Sequence, residues 1–526
     1  LKIAHQNLAC LNPHCIRTMG ASVAGGVAAA VQNASDDDLQ KAAAEISPEL
    51  RAKISAALNS KFGGLWPTYE EKMKKGGKES ESDAAIQAFK YNFRVLCSGE
   101  STMMPESSLD PVKPLPDFEK LEITAKPELL DKTVILKLNG GLGTGMGLDK
   151  AKSLLKVQGD NTFLDLIAQQ VGWMKTNFAK PNLNFMLMNS FSTSDDTKAA
   201  LAKYTDLGTG SDLEFVQNKA PKVTKEDLTP ASWPAAPDNE WCPPGHGDLY
   251  PAMLGSGTLD KLLGKGIKYA FVSNSDNLGA TMDLKLLTYF ADSGAPFMME
   301  VAARTDADKK GGHLATMKAN GGLTLRESAQ CPPEDEKAFQ DTAKYAYFNT
   351  NNLWIDLEKL KSIFEKNGGF IPLPVMTNDK TVDPRDKKST KVIQLETAMG
   401  AAISCFEGAI AICIPRSRFA PVKKCDDLLA LRSDAYVLTD DFRIVLAEER
   451  KGKPPLVKLD DSYKFVDALE KLIPNGAPSL KECTSLKVEG SMEFEAGVVI
   501  KGDVKFTGSG KVSAGVYENK EVTVGS

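Results

Sequence analysis

The amino-acid sequence predicts an α/β protein built on a mixed, mostly parallel sheet with helices on both faces. Short apolar runs with the composition of buried strands alternate with stretches of helical periodicity, which is typical of parallel sheets with helical crossovers. The strand runs are 133–138, 185–188, 269–272 and 297–301, and the helical stretches between them are 163–175 and 284–291. In such sheets ligands bind beyond the carboxyl ends of the strands. We therefore expect functional residues directly after these strands.

Length and composition are those of an ordinary globular protein. The 526 residues suffice for about two to four domains, because single cores stop growing near ~250–300 residues. Hydrophobic residues make up 42% of the chain, and the net charge is −5. An acidic chain lacks the basic face of a duplex nucleic-acid binder, and no apolar run reaches the ~18 residues of a membrane span. We expect neither nucleic acid nor membrane as a partner.

Cysteine usage and the N-terminal composition bear on the compartment. The nine cysteines are odd in number and form no C-x-x-C pair, which indicates free thiols in a reducing compartment. The Cys10–His14–Cys15 cluster lacks a distal second pair, so a terminal segment is favoured over a metal site. The first 33 residues contain no Asp or Glu, a bias that transit peptides share. We predict a cytoplasmic protein, with organelle targeting as the alternative.

Changes of composition and periodicity along the chain predict four regions. Residues 1–84 are interpreted as a partly helical or flexible extension, 85–440 as a catalytic domain that begins with a helical part, and 441–484 as a connecting segment. Residues 485–526 carry apolar positions six apart, which is the signature of a β-helix, with a small β-sandwich as the alternative. The two series are Leu486, Met492, Val498, Val504, Gly510, Val516 and Val488, Phe494, Ile500, Phe506, Val512.

A glycine-rich loop follows the strand run 133–138. Five glycines fall between Gly140 and Gly147, and glycine allows backbone N–H groups to approach phosphate oxygens. The loop matches neither the P-loop pattern GxxxxGK[ST] nor the dinucleotide pattern GxGxxG, because Met146 stands where the latter requires glycine. Lys152 follows and supplies a compact positive charge. The loop therefore predicts a phosphate site of another kind; an ordinary tight turn rarely contains so many glycines.

Other polar loops are candidates for ligand contact, and a purely structural role remains open for each of them. His246 and His313 are two of only four histidines and both follow glycine, which suggests ligand contact, although a lone histidine is more often a satisfied core residue. Asp276 follows the strand run 269–272, where a carboxylate can hold Mg²⁺ or simply form a turn. The amide of Gln217 can both donate and accept a hydrogen bond, as recognition of a polar ligand requires. Lys423 belongs to a basic loop that is otherwise interpreted as solvated charge.

The segment KLNGGLGTGMG at 137–147, together with Lys152, resembles the signature of the eukaryotic-type UTP–glucose-1-phosphate uridylyltransferase family. UDP-N-acetylhexosamine pyrophosphorylases are less similar, because their loop typically begins Leu-Ala-Gly-Gly and carries an arginine. The resemblance extends from about residue 85 to the end. It implies a Rossmann-like nucleotidyltransferase domain with a mixed, mostly parallel sheet, a helical N-terminal region and a C-terminal left-handed β-helix.

The resemblance also implies roles for single residues. Lys152 and Lys423 are the implied catalytic residues at the phosphates, with Lys424 leaving the register of the second slightly open, and Asp276 is the implied ligand of a Mg²⁺ cofactor. The residues implied at the nucleotide are Leu138, Asn139, Gly140, Gly141, Gln217 and Gly245. The residues implied at the phosphate of the sugar and at the hexose are His246, Asn274, Gly312, His313, Glu327, Asn349 and Asn351.

The implied reaction is a single in-line displacement in which glucose 1-phosphate attacks the α-phosphorus of UTP and pyrophosphate leaves. Rate enhancement is expected from positioning and charge stabilisation. The alternatives are a UDP-sugar pyrophosphorylase of broader sugar specificity and a non-catalytic regulatory paralogue, which would be expected to lack Lys152, Asp276 or Lys423. A nicotinamide-dependent reductase is disfavoured because GxGxxG is absent. The last rung of a β-helix also allows a homo-oligomer.

Overall fold

The structure is a computed structural model that describes residues 48–75, 81–99, 101–180, 182–305 and 308–525. The features noted within residues 1–47 lie outside the described residues. Within the described part of the chain, no helix combines the length and apolarity required to cross a bilayer.

Helices cover both faces of the central sheet and the N-terminal side of the molecule. They are α1 (Pro48–Lys75), α2 (Asp83–Ser98), α3 (Phe163–Asn177), α4 (Ser194–Leu201), α5 (Leu249–Gly255), α6 (Thr258–Gly264), α7 (Leu284–Ser293), α8 (Glu336–Phe339), α9 (Leu357–Asn367), α10 (Cys425–Arg432) and α11 (Val466–Leu472).

Among the described residues the strands outnumber the helices, and the predicted alternation is found where the helices at 163–177 and 284–293 separate the predicted strand runs. The strands are β1 (Leu109–Pro111), β2 (Thr133–Asn139), β3 (Lys156–Gln158), β4 (Asn161–Thr162), β5 (Asn184–Asn189), β6 (Glu214–Val216), β7 (Ala220–Pro221), β8 (Val223–Thr224), β9 (Trp241–Cys242), β10 (Tyr269–Asn274), β11 (Phe297–Ala303), β12 (His313–Met317), β13 (Leu323–Arg326), β14 (Tyr347–Asp356), β15 (Val375–Thr381), β16 (Lys391–Thr397), β17 (Ile410–Cys413), β18 (Tyr436–Leu438), β19 (Ile444–Leu446), β20 (Leu456–Lys458), β21 (Ser479–Glu489), β22 (Met492–Phe494), β23 (Val498–Gly508), β24 (Gly510–Val512) and β25 (Gly515–Val524).

A ten-stranded mixed sheet forms the centre of the protein. Its main path runs β1-β12-β14-β10-β2-β5-β6, and β11, β13 and β17 pair beside it. The strands β10, β2, β5 and β6 are parallel to one another, whereas β14 is antiparallel to β10 and β11. The predicted mixed α/β fold is therefore confirmed, and the four parallel strands open their carboxyl ends to the same edge.

The residues of β2 alternate between two hydrophobic layers, so that the strand is buried along its whole length. Val134 and Leu136 belong to the core that α5 and α6 cover, and Ile135 belongs to the core on the other face with Phe163 and Ile167 of α3. This double burial explains why the strand is a continuous apolar run in the sequence. A rigid, doubly covered strand holds the start of the glycine-rich loop in place.

The two N-terminal helices pack against each other and against the small sheet β15-β16-β8. Tyr69 and Met73 of α1 share a core with Phe89 and Phe93 of α2, and the Tyr69 hydroxyl donates to the backbone oxygen of Leu228 at 2.8 Å. The described part of the 1–84 segment is thus attached to the body of the protein by buried side chains.

The C-terminal strands stack in parallel. Partners are eighteen residues apart between β22 and β24 and over most of the β21–β23 pairing, and sixteen or seventeen apart between β23 and β25. Leu486 pairs with Val504, and Phe494 pairs with Val512. The apolar residues of the six-residue series are buried from Leu486 to Val512. Val516 is an exception: it pairs with Val499 and not with the buried Val498, because partners in β23 and β25 are seventeen residues apart there, and its side chain is 55% exposed. Parallel stacking of the repeat is confirmed, and the inward orientation expected for Val516 is wrong.

Candidate functional site

A cleft of about 310 Å³ lies at the carboxyl ends of the parallel strands. The strands β2 and β10 are adjacent and in register from Thr133 and Tyr269 onward, so the glycine-rich loop and the loop after Asn274 leave the sheet side by side. The segment after β6 and the turn before α5 close the other walls. The residues that line the cleft are Leu138, Gly140, Gly141, Lys152, Met188, Gln217, Pro243, Gly245, His246, Asn274, Ser275 and Asp276.

The glycine-rich loop folds back on itself so that Lys152 returns to its beginning. The backbone N–H of Lys152 donates to the oxygen of Gly141 at 3.0 Å. Gly143 adopts a φ of +67°, and a Cβ there would lie 2.8 Å from Cδ1 of Leu148 and 3.2 Å from Cγ of Lys152. A larger residue at this position would strain the backbone and displace the lysine stem. The loop thus requires glycine where the lysine packs against it.

Lys152 and Asp276 form an ion pair inside the cleft, with 2.8 Å between Nζ and Oδ2. Their side chains are 15% and 22% exposed, so both remain accessible to a ligand. The backbone oxygen of Asp276 accepts a hydrogen bond from the N–H of Val422 at 3.1 Å. This bond joins the basic loop, which carries the exposed Lys423, to the backbone at Asp276. The cleft therefore contains the Lys152–Asp276 pair, whereas Lys423 lines another cavity with Lys424, Asp426 and Asp427.

The amide of Gln217 is held in one orientation above the glycine-rich loop. Its Nε2 donates to the backbone oxygen of Gly245 at 2.9 Å. A Cβ on Gly140 would lie only 2.9 Å from its Oε1, so the amide contacts the loop backbone closely. Because Nε2 is engaged, Oε1 is left as an acceptor for a ligand N–H. Gly245 itself has a φ of +82° and no space for a side chain against Thr397.

His246 is a neutral, oriented imidazole. Its Nδ1 accepts a hydrogen bond from the N–H of Met399 at 3.0 Å, which places the ring hydrogen on Nε2. Burial lowers the pKa of His246 to about 4, because the charged form would be desolvated. At neutral pH the ring can donate a hydrogen bond into the cleft without carrying a charge.

The residues implied at the hexose gather beside this cleft. A Cβ on Gly312 would lie 2.4 Å from Oε2 of Glu327, so the two are in contact, and burial raises the pKa of Glu327 while Lys423 opposes the shift. Asn349 donates to Oδ1 of Asn351 at 2.7 Å. Asn351 has a φ of +58° next to a bulge in the β11–β14 ladder, which turns its amide out of the strand.

The Asn349 amide also connects these residues to His246. A Cβ on Gly400 would lie 2.8 Å from Nδ2 of Asn349, and Gly400 directly follows Met399, whose N–H fixes the His246 ring. Gly312, Glu327, Asn349, Asn351 and Lys423 are thus neighbours of the cleft, although they do not line its 310 Å³ volume.

Two predicted side chains point elsewhere. The His313 ring is fully buried, stacked on Tyr345 with 3.9 Å between ring centroids and packed against Phe339. The buried Asn139 amide donates to Asn189 of β5 at 2.8 Å and to Thr197 of α4 at 2.9 Å. Neither side chain lines the cleft. The structure therefore does not support contact between a ligand and the side chain of His313 or Asn139. For His313 the preceding glycine suggested a ligand contact that burial removes, whereas Asn139 was implied by the family resemblance alone.

A buried polar network beneath the cleft was not predicted from the sequence. Arg418 makes two bonds of 2.9 Å to the Glu300 carboxylate, which also accepts from Asn352 at 3.1 Å and from Trp354 at 2.9 Å. Asn277 accepts at Oδ1 from the N–H of Ala420 at 2.9 Å, which ties the Asp276 loop to the basic loop. Buried pairs of this kind hold elements in register. Glu300 lies within a strand run, where a lone acidic residue between apolar ones was the available signal.

The donor set of the cleft fits a hard divalent cation held mainly by its substrate. Among the described residues no three His, Cys, Asp or Glu side chains cluster as a complete metal site. Asp276 is a single partly exposed carboxylate paired with Lys152. Mg²⁺ is commonly bound by one or two carboxylates together with substrate phosphates and waters. Asp276 satisfies the protein side of that requirement.

Comparison with known proteins places this geometry in a family. The sequence model of the family described as UTP–glucose-1-phosphate uridylyltransferase matches residues 86–501. A UTP–glucose-1-phosphate uridylyltransferase of Hordeum vulgare is 37% identical over 492 residues, which cover 90% of this chain and 98% of the relative. That of Solanum tuberosum is 42% identical over 381 residues, 72% of this chain and 77% of the relative.

Solved structures agree with the sequence comparison. A mutant of UDP-glucose pyrophosphorylase from Leishmania major, in complex with UDP-glucose, is 45% identical, with a TM-score of 0.82 over 88% of this chain and 99% of that one. UDP-glucose phosphorylase from Trypanosoma brucei is 49% identical, with a TM-score of 0.80 over 88% of this chain and all of that one. The chain therefore belongs to the UTP–glucose-1-phosphate uridylyltransferase family.

Proposed function

We propose that this protein transfers the uridylyl group of UTP to glucose 1-phosphate, giving UDP-glucose and pyrophosphate. One observation carries the proposal most directly: a single cleft joins a glycine-rich phosphate loop, the Lys152–Asp276 pair and an amide fixed to accept from an N–H. Membership of the family supplies the identity of the two substrates.

The mechanism follows from the charges in the cleft. The phosphate of glucose 1-phosphate is already an anionic nucleophile, so no general base is required. The obstacle is the approach of two anions, which preorganised cations and backbone N–H groups relieve in a site shielded from water. We assign Lys152 to the phosphates because it is paired with Asp276 in the cleft, and Lys423 because its loop is hydrogen-bonded to the backbone of Asp276. His246 donates a hydrogen bond without adding charge.

Other positions are assigned by their place along the cleft. Leu138, Gly140, Gly141, Gln217 and the backbones of Asn139 and Gly245 are assigned to UTP, with Oε1 of Gln217 accepting N3–H of uracil. Asn274 is assigned to the phosphate of the sugar. The groups assigned to the hexose are the side chains of Glu327, Asn349 and Asn351 and the backbone of Gly312.

Asp276 is the residue that we assign to a Mg²⁺ cofactor. When bound there, the ion would neutralise phosphate charge. The chain contributes the carboxylate and keeps it oriented through the Lys152 pair and the Val422 hydrogen bond. Lys152 also lowers the cost of an unpaired carboxylate in the cleft when no ligand is present.

A pyrophosphate-release assay tests the reaction. UTP, ATP and GTP are each paired with glucose, galactose and N-acetylglucosamine 1-phosphates. We expect UTP with glucose 1-phosphate to give the highest kcat/KM. Comparable rates with several sugar 1-phosphates would favour the broader-specificity pyrophosphorylase, and no turnover with any pair would favour a non-catalytic paralogue. Retention of Lys152, Asp276 and Lys423 supports an active enzyme over the latter.

We further propose how the molecule is organised. The parallel stacking of strands after residue 485 supports a left-handed β-helix, joined to the catalytic domain at 85–440 by the segment 441–484. Residues 1–84 are treated as an N-terminal extension. The exposed last strand supports a homo-oligomer formed through this region. Free thiols support a cytoplasmic location.

A further inference from the structure

The backbone that follows Gln217 is held by two carboxylates from different parts of the fold. The N–H of Asn218 donates to Oδ2 of Asp248 at 2.7 Å, and its side-chain Nδ2 donates to both oxygens of Asp248 at 3.0 and 3.1 Å. The N–H of Lys219 donates to Oε2 of Glu81 at 3.1 Å. Two successive residues after Gln217 are therefore anchored by acidic side chains.

Each carboxylate is itself fixed by a rigid element. Asp248 is 3% exposed and directly precedes α5, and its own N–H donates to the oxygen of Gly245 at 3.2 Å. Glu81 lies between α1 and α2, and its N–H donates to the oxygen of Met73 at 3.0 Å. The start of α2 in turn approaches the end of α5 so closely that a Cβ on Gly255 would lie 2.2 Å from Oγ of Ser82.

The contacts of Asp248 extend to the oxygen that fixes the Gln217 amide. The Gly245 oxygen accepts both from Asp248 N–H and from Gln217 Nε2, so the turn that fixes the amide is joined to the carboxylate that fixes the chain after it. With Nε2 committed to Gly245, Oε1 can accept from N3–H of uracil. Cytosine presents a lone pair at N3 instead, which this orientation repels.

We propose that Asp248 and Glu81 are positioning residues that set the pyrimidine selectivity of the cleft by holding the Gln217 amide in its uracil-accepting orientation. The inference rests on the proposed assignment of Gln217 to the base. It gives the segment around Glu81, which precedes the family match at residue 86, a role in substrate choice.

The charge state of Asp248 supports a dependence of this selectivity on pH. Burial raises the pKa of Asp248 to about 7, with the neighbouring Glu81 adding to the shift and the Asn218 hydrogen bonds opposing it. Burial also raises the pKa of Glu81, which Lys219 opposes. Apart from Lys219, the side chains that line the small cavity beside Asp248 are uncharged. Protonation of the Asp248 carboxyl below pH 7 removes part of its capacity to accept the hydrogen bonds that Asn218 donates.

The test measures kcat/KM for UTP and for CTP, at saturating glucose 1-phosphate, in wild type and variants. Asp248→Asn places an N–H donor against the Asn218 amide, and we expect the UTP/CTP ratio to fall about 10-fold, mainly through KM for UTP. Glu81→Ala should lower the ratio about threefold, and Glu81→Gln, which keeps an acceptor, should restore it. Asp83→Ala, an exposed residue of the same helix start, is the matched control.

The pH readout separates positioning from general damage to the fold. The phosphate ionisations of UTP and CTP cancel in the ratio, so we expect the wild-type ratio to fall between pH 8 and pH 6 and to be flat in Asp248→Asn. If that variant does not fold, the half-buried Glu81 variants decide the question. An unchanged ratio in folded Glu81→Ala or Asp248→Asn overturns the inference. A wild type without preference for UTP overturns the proposed function instead, whatever the variants do.

Discussion

At the level of single residues, the Lys152–Asp276 pair sets the charge of the cleft. Replacing Lys152 by Met removes a preorganised cation and leaves the carboxylate facing the phosphates alone. We expect kcat to fall by ~10²–10³, as for other preorganised charge stabilisers. Lys150→Met is the matched control, because Lys150 is exposed in the same loop and does not line the cleft. Near-normal turnover in Lys152→Met, measured by pyrophosphate release, would remove this lysine from the mechanism.

The buried His313 links stability to pH. Burial lowers the pKa of His313 to about 3, below the ~6.5 of an unfolded histidine. Between these two values the unfolded chain binds a proton at this residue and the native state does not. Its contribution to stability is therefore lost as the pH falls below 6.5. We expect His313→Phe, which keeps the stacking on Tyr345, to reduce the slope of unfolding free energy against pH by up to about 1.4 kcal/mol per unit. Urea unfolding at pH 4.5 to 6 measures it, and equal slopes in the two proteins would contradict this linkage.

Single residues also show where sequence reasoning succeeds and where it stops. Gly140 and Lys152 were identifiable because a glycine-rich loop after a strand is a local pattern, and local patterns survive folding. His313 was not interpretable in the same way, because a Gly-flanked histidine is compatible with a ligand or with a core, and only the stacking on Tyr345 decides. Asp248 was missed because its partner, the N–H of Asn218, is thirty residues away in the chain.

At the level of elements, the turn between Pro243 and α5 is the least tolerant part of the site. A Cβ on Gly245 would lie 2.4 Å from the oxygen and 2.9 Å from the nitrogen of Thr397, both backbone atoms, at a φ of +82°. We expect Gly245→Ala to cost at least about 1–3 kcal/mol of folding free energy from backbone strain. It should also raise KM for UTP, because the Gln217 amide loses its fixed acceptor.

A glycine elsewhere controls for the substitution itself. No heavy atom lies within 4 Å of the Cβ position on Gly264, at the end of α6. We expect Gly264→Ala to be neutral or to stabilise the protein by up to about 1 kcal/mol through helix propensity. Thermal and urea unfolding of the two variants compare them directly. A Gly245→Ala protein as stable as Gly264→Ala would show that the Thr397 backbone yields at little cost.

The helices and strands were predictable where their burial leaves a local pattern in the sequence. Strands β2, β5, β10 and β11 are doubly covered and appear as apolar runs, so they were identified from composition alone. The order of the strands in the ten-stranded sheet was not predictable. Strand β14 lies antiparallel between β10 and β11, and this long-range pairing leaves no local pattern in the sequence. The bulge next to Asn351 belongs to the same pairing and could not be predicted from the sequence either.

At the level of the whole molecule, the C-terminal region is joined to the phosphate loop through one aromatic side chain. A Cβ on Gly147 would lie 3.0 Å from Cδ1 of Phe465, so the tip of the glycine-rich loop rests on this ring. Nearby Tyr463 is fully buried and accepts from the N–H of Met492 at 3.1 Å, which anchors the same segment to the C-terminal strands. The position of the loop therefore depends on residues far away along the chain.

This connection predicts a functional effect without a large loss of stability. Phe465 is 45% exposed, so Phe465→Ala removes little buried area from the core. The loop loses its apolar support, and we expect kcat/KM for UTP to fall roughly 2- to 30-fold, the range of coupling energies of about 0.5–2 kcal/mol. Leu456→Ala is the matched control, because Leu456 lies in the same connecting segment and is 53% exposed. Steady-state kinetics, with unfolding curves on the same preparations, distinguish the two. Equal kinetic effects in both variants would mean that the C-terminal region supports the fold as a whole and not the phosphate loop.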